Sequence, residues 1–149
     1  MNGPSLSSET VRGTCVAIGE RAVLLSGRSG SGKSDLALRL IDRGAMLVSD
    51  DYTLLRRSGG KLLASAPSTI GGRLEVRGIG IVELPVRTDM PVALIVSLDE
   101  PVPRLPEEPL PTRLIAGLAL PVLALAAPEP SAPLKVERAL ARFGVPVAS

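Results

Sequence analysis

The chain of 149 residues contains no histidine. Imidazole is thereby excluded as general base, as phosphoryl carrier and as metal ligand. There is one cysteine, Cys15, so neither an intramolecular disulfide nor a cysteine metal cage can form, and a reducing cytoplasm is the expected setting. Cys15 lies in an apolar stretch and reads as a small core residue. With no Trp, one Phe and one Tyr, the interior has to be built from Leu, Val, Ile and Ala, and few platforms remain for stacking bases. The net charge is only +2, with acids and bases interspersed, which argues against a nucleic-acid surface. The local cluster Arg56, Arg57 and Lys61 is explained by a solvated hairpin end. The longest uncharged run, Leu114 to Pro128, is too short to span a bilayer and carries Pro121. Met1 to Thr10 is polar and lacks the apolar segment of a signal peptide. No membrane partner is expected. The length suits a single domain over 1–149, with Met1 to Glu9 as a flexible lead-in.

What is present is a phosphate-binding loop. Gly27, Arg28, Ser29, Gly30, Ser31, Gly32, Lys33 and Ser34 match G-x-x-x-x-G-K-[ST] at every fixed position. Arg21 to Ser26 reads as a buried strand running into the loop, and Lys33 to Arg43 as a helix leaving it, which is the context the motif requires. A chance glycine-rich turn would lack both flanks. The glycines let successive amides point inward at phosphate oxygens, and the helix start adds partial positive charge. Lys33 can then reach the β and γ phosphates, and the Ser34 hydroxyl can take one position on a bridging Mg2+.

Around the loop the chain reads as α/β. Thr10 to Ile18 is β-branched and predicts a strand that Gly19-Glu20 turns into the next one. The helix presents Leu36, Ala37, Leu40 and Ile41 on one face and stops at Gly44. Ala45 to Ser49 predicts a buried strand offering Asp50 and Asp51 at its C-terminal edge. Tyr52 to Arg57 and Lys61 to Ala66 flank a Ser58-Gly59-Gly60 turn. Leu74 to Val82 reads as a strand with Glu75 and Arg77 on its polar face, and Val92 to Leu98 as a buried strand. Pro101 to Pro111 is an irregular surface connection. Leu114 to Ala126 predicts one or two strands broken by Pro121, and Pro133 to Phe143 a closing helix ended by Gly144.

A nucleotide loop needs a carboxylate on the metal side, and Asp50 and Asp51 fit. Neighbouring strand residues point to opposite faces, so the use of both requires the chain to bend there. Guanine nucleotide hydrolases are excluded, because the only asparagine is Asn2 and no Asn-Lys-x-Asp reader exists. No ABC-type signature or long arginine-bearing lid is present either.

The phosphate loop, Leu47-Val48-Ser49-Asp50-Asp51, Ala66-Pro67 and above all Leu74-Glu75-Val76-Arg77-Gly78-Ile79-Gly80-Ile81 resemble, in order and spacing, the catalytic domain of HPr kinase/phosphorylase in its short single-domain form. Ser131-Ala132-Pro133-Leu134-Lys135 resembles a stretch near the end of that form. The resemblance is specific over residues 11 to 82 and weak beyond. It implies a phosphate-loop-containing mixed β-sheet with flanking helices, distantly related to phosphoenolpyruvate carboxykinase. It also implies ATP- and Mg2+-dependent phosphorylation of a serine on the phosphocarrier protein HPr, with phosphorolysis of the phosphoserine in many members, and hexameric assembly. By the same resemblance Asp50 takes the serine proton and Asp51 serves the metal, although the two could be exchanged; Ser34 and Glu75 also serve the metal, and Lys33 and Arg77 stabilise charge on the transferred group.

Two departures matter. Where the family carries a histidine before the loop, this chain has Arg12 in Val11-Arg12-Gly13-Thr14, so a permanent charge replaces a titratable ring; a slowed kinase is the expectation. The family's Pro-Val-Arg-Pro-Gly-Arg-Asn stretch is replaced by Leu125-Ala126-Ala127-Pro128-Glu129-Pro130, and phosphorolysis is the activity expected to suffer first. The alternative is a catalytically weak nucleotide-sensing module that docks HPr or another regulatory partner. A small-molecule kinase has no recognisable substrate motif here.

Overall fold

The computed structural model describes residues 7–68 and 71–147. The elements follow in the order β1 (Ser8–Arg12), β2 (Thr14–Ile18), β3 (Arg21–Ser26), α1 (Lys33–Asp42), β4 (Met46–Ser49), β5 (Tyr52–Ser58), β6 (Lys61–Ser65), β7 (Arg73–Val76), β8 (Gly80–Glu83), β9 (Met90–Ser97), β10 (Thr112–Ile115), β11 (Leu118–Ala124) and α2 (Ala132–Phe143). Of the lead-in expected through Glu9, residues 1–6 lie outside the described residues, while Ser8 and Glu9 already pair with Arg56 and Leu55 in a strand.

One mixed, curled sheet runs β1-β5-β6-β9-β3-β2-β4, and β11 and β10 extend it from β9. β9 makes the curl possible: its first residues pair antiparallel with β6, and its last ones pair parallel with both β3 and β11. β2 is antiparallel to both β3 and β4. Hence β3, β4, β9 and β11 all run the same way, and their C-terminal ends meet at one edge. In open α/β sheets ligands bind at such an edge.

β1 and β4 hand over to β2 and β5 at a shared bend. Gly13 donates its N–H to the Asp51 carbonyl at 2.8 Å, and Thr53 Oγ1 donates to the Gly13 carbonyl at 3.0 Å. Gly13 is required by close approach, since a Cβ there would stand 2.9 Å from the Leu25 carbonyl oxygen. The core lies on both faces of the sheet. One side packs Leu36, Leu40 and Val136 of the helices on Val23, Leu25 and Val96, and the other gathers Cys15, Leu24, Leu55, Leu62 and Ile95. Burial pushes the Cys15 thiol up, as expected of a core cysteine.

Three local expectations need correction. Leu74 to Val82 is a hairpin, not one strand: β7 and β8 pair antiparallel as a separate two-stranded sheet, with a turn containing Gly78 at φ 87. Pro121 breaks nothing. It sits inside β11 opposite Thr112, and the break falls at Ala116-Gly117, both with positive φ. A proline fits because the N–H of the next residue, Val122, turns to the β10 side and pairing with β9 begins only at Val122, so no ladder bond calls on the N–H that Pro121 lacks. The strand predicted from Thr10 to Ile18 is two, divided at Gly13. Among the described residues no helix is long and apolar enough to cross a membrane.

Candidate active site at the sheet edge

The phosphate loop leaves β3 at the common edge. α1 begins behind Gly32, a left-handed residue at φ 98, and among the described residues no side chain caps it. The first N–H groups of the helix are therefore open to an anion. Gly30 is also left-handed at φ 83, a backbone state that glycine adopts without penalty. Lys33 is buried, and its Nζ donates to the carbonyls of Gly27 at 2.6 Å and Arg28 at 2.9 Å. The ammonium group is thus held over the loop by the loop itself. Ser31 Oγ is buried with no hydrogen-bond partner among the described residues, an orphaned polar atom beneath the cradle of a kind that a bound group would satisfy.

The two aspartates have different surroundings. Asp50 Oδ1 accepts from Ser34 Oγ at 2.7 Å and from the fully buried Thr14 Oγ1 at 2.8 Å, while Oδ2 accepts from the main-chain N–H of Glu75 at 3.1 Å. This one carboxylate ties α1, β2 and β7 together. Asp51 has φ 66, which is uncommon for a side chain other than glycine's. The chain thus bends at the place where use of both aspartates would require it. Its carboxylate stays 56 % exposed, and Oδ1 lies 3.6 Å from Nε of Arg12. The Arg12 guanidinium also covers the Tyr52 ring at 5.5 Å from its centroid. Arg12 therefore faces Asp51 rather than Asp50.

Gly27 to Ser34, Asp50, Asp51, Arg12 and the main chain of Glu75 are brought together at this edge. The Glu75 side chain is exposed, and Arg77 is exposed in the β7–β8 turn, where it makes no ion pair or hydrogen bond among the described residues. Sequence reasoning missed three contributors. Thr14 holds Asp50. Asp99, two residues past β9, accepts the Arg28 N–H at 2.8 Å. Arg39 of α1 donates to the carbonyls of Ala127 and Glu129, which closes the 126–129 loop over the helix start. Asp99 was findable as an acid at the end of a buried strand; Thr14 and Arg39 carry no such signal. A groove of about 830 Å³ beneath the 101–111 connection, against α2, is lined by none of these residues. The candidate phosphate site is an open edge and not that cavity.

The edge can hold a polyphosphate, present hard oxygen ligands from Ser34 and Asp50, and offer an exposed carboxylate to an incoming hydroxyl. Comparison with known proteins follows the same line. A family model described as the HPr serine kinase C-terminal domain matches residues 5–106. The HPr kinase/phosphorylase of Clostridium tetani is 44 % identical over 81 residues, covering 54 % of this chain and 27 % of that protein. That of Caldanaerobacter subterraneus is 41 % identical over 99 residues, covering 61 % and 32 %. The matched stretch thus spans about a third or less of these relatives. The solved HPr(Ser) kinase/phosphatase of Coxiella burnetii superimposes with a TM-score of 0.78 at 32 % identity, over 90 % of this chain and 89 % of that one.

Proposed function

The chain belongs to the HPr serine kinase C-terminal domain family, and from that premise we propose that it transfers the γ-phosphoryl group of ATP to a serine of an HPr-type phosphocarrier protein. The observation that supports this most is the pairing of a complete phosphate loop with an exposed acid beside it. Gly27 to Ser34 cradle the phosphates and Lys33 neutralises their charge. The serine Oγ gives its proton to a carboxylate, bonds to the γ-phosphorus, and the bond from that phosphorus to the β–γ bridging oxygen breaks to leave ADP.

The surroundings of the aspartates favour exchanging the roles that the resemblance gave them. Asp50 already accepts three hydrogen bonds and faces Ser34, so it serves the metal side. Asp51 is exposed and is the acceptor that a partner's serine can reach. Mg2+ takes oxygen from one or two carboxylates and completes its shell with water and nucleotide phosphates. Ser34 Oγ, Asp50 and Glu75 are donors of that type, and the ion would supply charge neutralisation between the phosphates. Arg77 contributes charge near the transferred group. A cytoplasmic setting and homo-hexameric assembly belong to the same reading, on resemblance.

The Arg12–Asp51 pair favours the second reading, a nucleotide-sensing module that docks its partner and transfers little, because the guanidinium competes with the serine proton for Oδ1. Incubation with γ-labelled ATP, Mg2+ and HPr separates the two. Phosphoserine that falls at least about a hundredfold in Lys33→Ala supports the kinase. Tight ATP binding with no phosphoserine supports the module.

A further inference from the structure

The peptide unit joining Gly27 to Arg28 is gripped from both sides. Its N–H donates to Asp99 Oδ2 at 2.8 Å, and its C=O accepts from Lys33 Nζ at 2.6 Å. Because a peptide is planar, fixing the direction of the N–H fixes the direction of the carbonyl opposite. A carboxylate on the N–H side also polarises the unit and strengthens the carbonyl as an acceptor.

Asp99 is itself well anchored. The β9–β3 pairing runs to its neighbour, with the Leu98 N–H on the Ser26 carbonyl at 2.8 Å, so the side chain of Asp99 takes over where the strand ladder stops. The space is fully used. A Cβ on Gly27 would stand 3.2 Å from Asp99 Oδ1 and 2.5 Å from Ser31 Oγ, so the first loop residue is pressed between the two. Asp99 Oδ1 also lies 3.7 Å from Nε of Arg28, but that side chain is 83 % exposed, and an exposed ion pair contributes little. The main-chain bond is the one with a consequence.

We propose that Asp99 is a positioning residue for Lys33: by holding the N–H of the Gly27–Arg28 peptide it aims that peptide's carbonyl at the ammonium group and parks the lysine over the phosphate cradle. The proposal rests on the nucleotide reading of the loop. The phosphate loop is then set from its own strand and also from the parallel neighbour, and a residue distant in sequence from the motif tunes its central cation.

The test is ATP affinity, by calorimetry with Mg2+, in the full chain. Asp99→Ala weakens binding about tenfold or more, the effect of losing a hydrogen bond to a charged group. Asp99→Asn keeps an acceptor oxygen and recovers most of that loss. The ratio of Asp99→Ala to wild-type affinity persists at high salt, where an exposed ion pair would be screened. The double variant Lys33→Ala/Asp99→Ala is no weaker than Lys33→Ala, since Asp99 acts through Lys33. Wild-type affinity in Asp99→Ala, a ratio that vanishes in salt, or additive losses in the double variant would each overturn the proposal. Wild-type protein that binds no ATP would instead sink the nucleotide reading beneath it. Should Asp99→Ala not fold, the Arg28 amide proton decides: it moves upfield between wild type and Asp99→Asn, and an unmoved resonance overturns the proposal.

Discussion

At the scale of single residues, the site depends on two neighbouring carboxylates kept in different environments. Asp50 is held by Ser34, Thr14 and the Glu75 main chain. Thr14→Val removes a buried donor and leaves a charged acceptor short of one partner, so stability should fall by about 1–3 kcal/mol, measurable as a lower denaturation midpoint with an unchanged slope. Arg12 stands against Asp51, and Arg12→His should raise the rate of phosphoserine formation by removing a permanent competitor for the carboxylate; an unchanged or lower rate contradicts that account. Cys15 gives the pH prediction. Its thiol is raised in the fold by burial, while in the unfolded chain it ionises near pH 8.5. Below that pH its contribution is fully present, and as pH rises above it the unfolded state loses the proton first, so stability declines. Native protein should accordingly resist a thiol reagent at pH 8 that labels the denatured chain at once. Both aspartates and the loop were legible in the sequence. Their different surroundings were not, because strand alternation sets neighbours on opposite faces and nothing in Asp50-Asp51 announces a left-handed backbone at the second.

Among the elements, the bend shared by β1–β2 and β4–β5 decides where those acids point. Gly13 sits within the bend because the Leu25 carbonyl leaves no room for a Cβ. Gly13→Ala must shift backbone, and an overpacking cost of about 1–3 kcal/mol follows, together with a loss of phosphoryl transfer larger than that of an equally destabilising substitution in α2. Equal losses at equal stability would separate the bend from the site. The main elements could be read from periodicity and breakers: the hairpins at Gly19-Glu20 and Ser58-Gly59-Gly60, the helix from Lys33, the buried β9. Failures came where one signal had two meanings. Pro121 reads as a strand breaker, yet it stands where pairing with β10 ends and pairing with β9 begins; Gly78 falls within what reads as one strand, yet its positive φ makes the β7–β8 turn, while Gly80 opens β8. That hairpin leaves Ile79 at 79 % exposure beside Arg77, a tip that no alternation pattern would forecast.

For the molecule as a whole, the decisive fact is direction. Four strands, β3, β4, β9 and β11, end at one edge, and each supplies something there: the phosphate loop, the paired acids, Asp99, and the loop at Ala127 that Arg39 holds down. The sequence announced the first two through their motifs. It could not announce the others, because the parallel pairing of β9 with β3 and β11 is a long-range choice made by the sheet. The central claim is that this edge binds a nucleoside triphosphate through Lys33 and its loop. A calorimetric titration of the full chain with ATP and Mg2+ tests it most directly: saturable binding at one site per chain, markedly weakened but still measurable in Lys33→Ala, is the predicted result, and the absence of binding by any nucleoside triphosphate would contradict it.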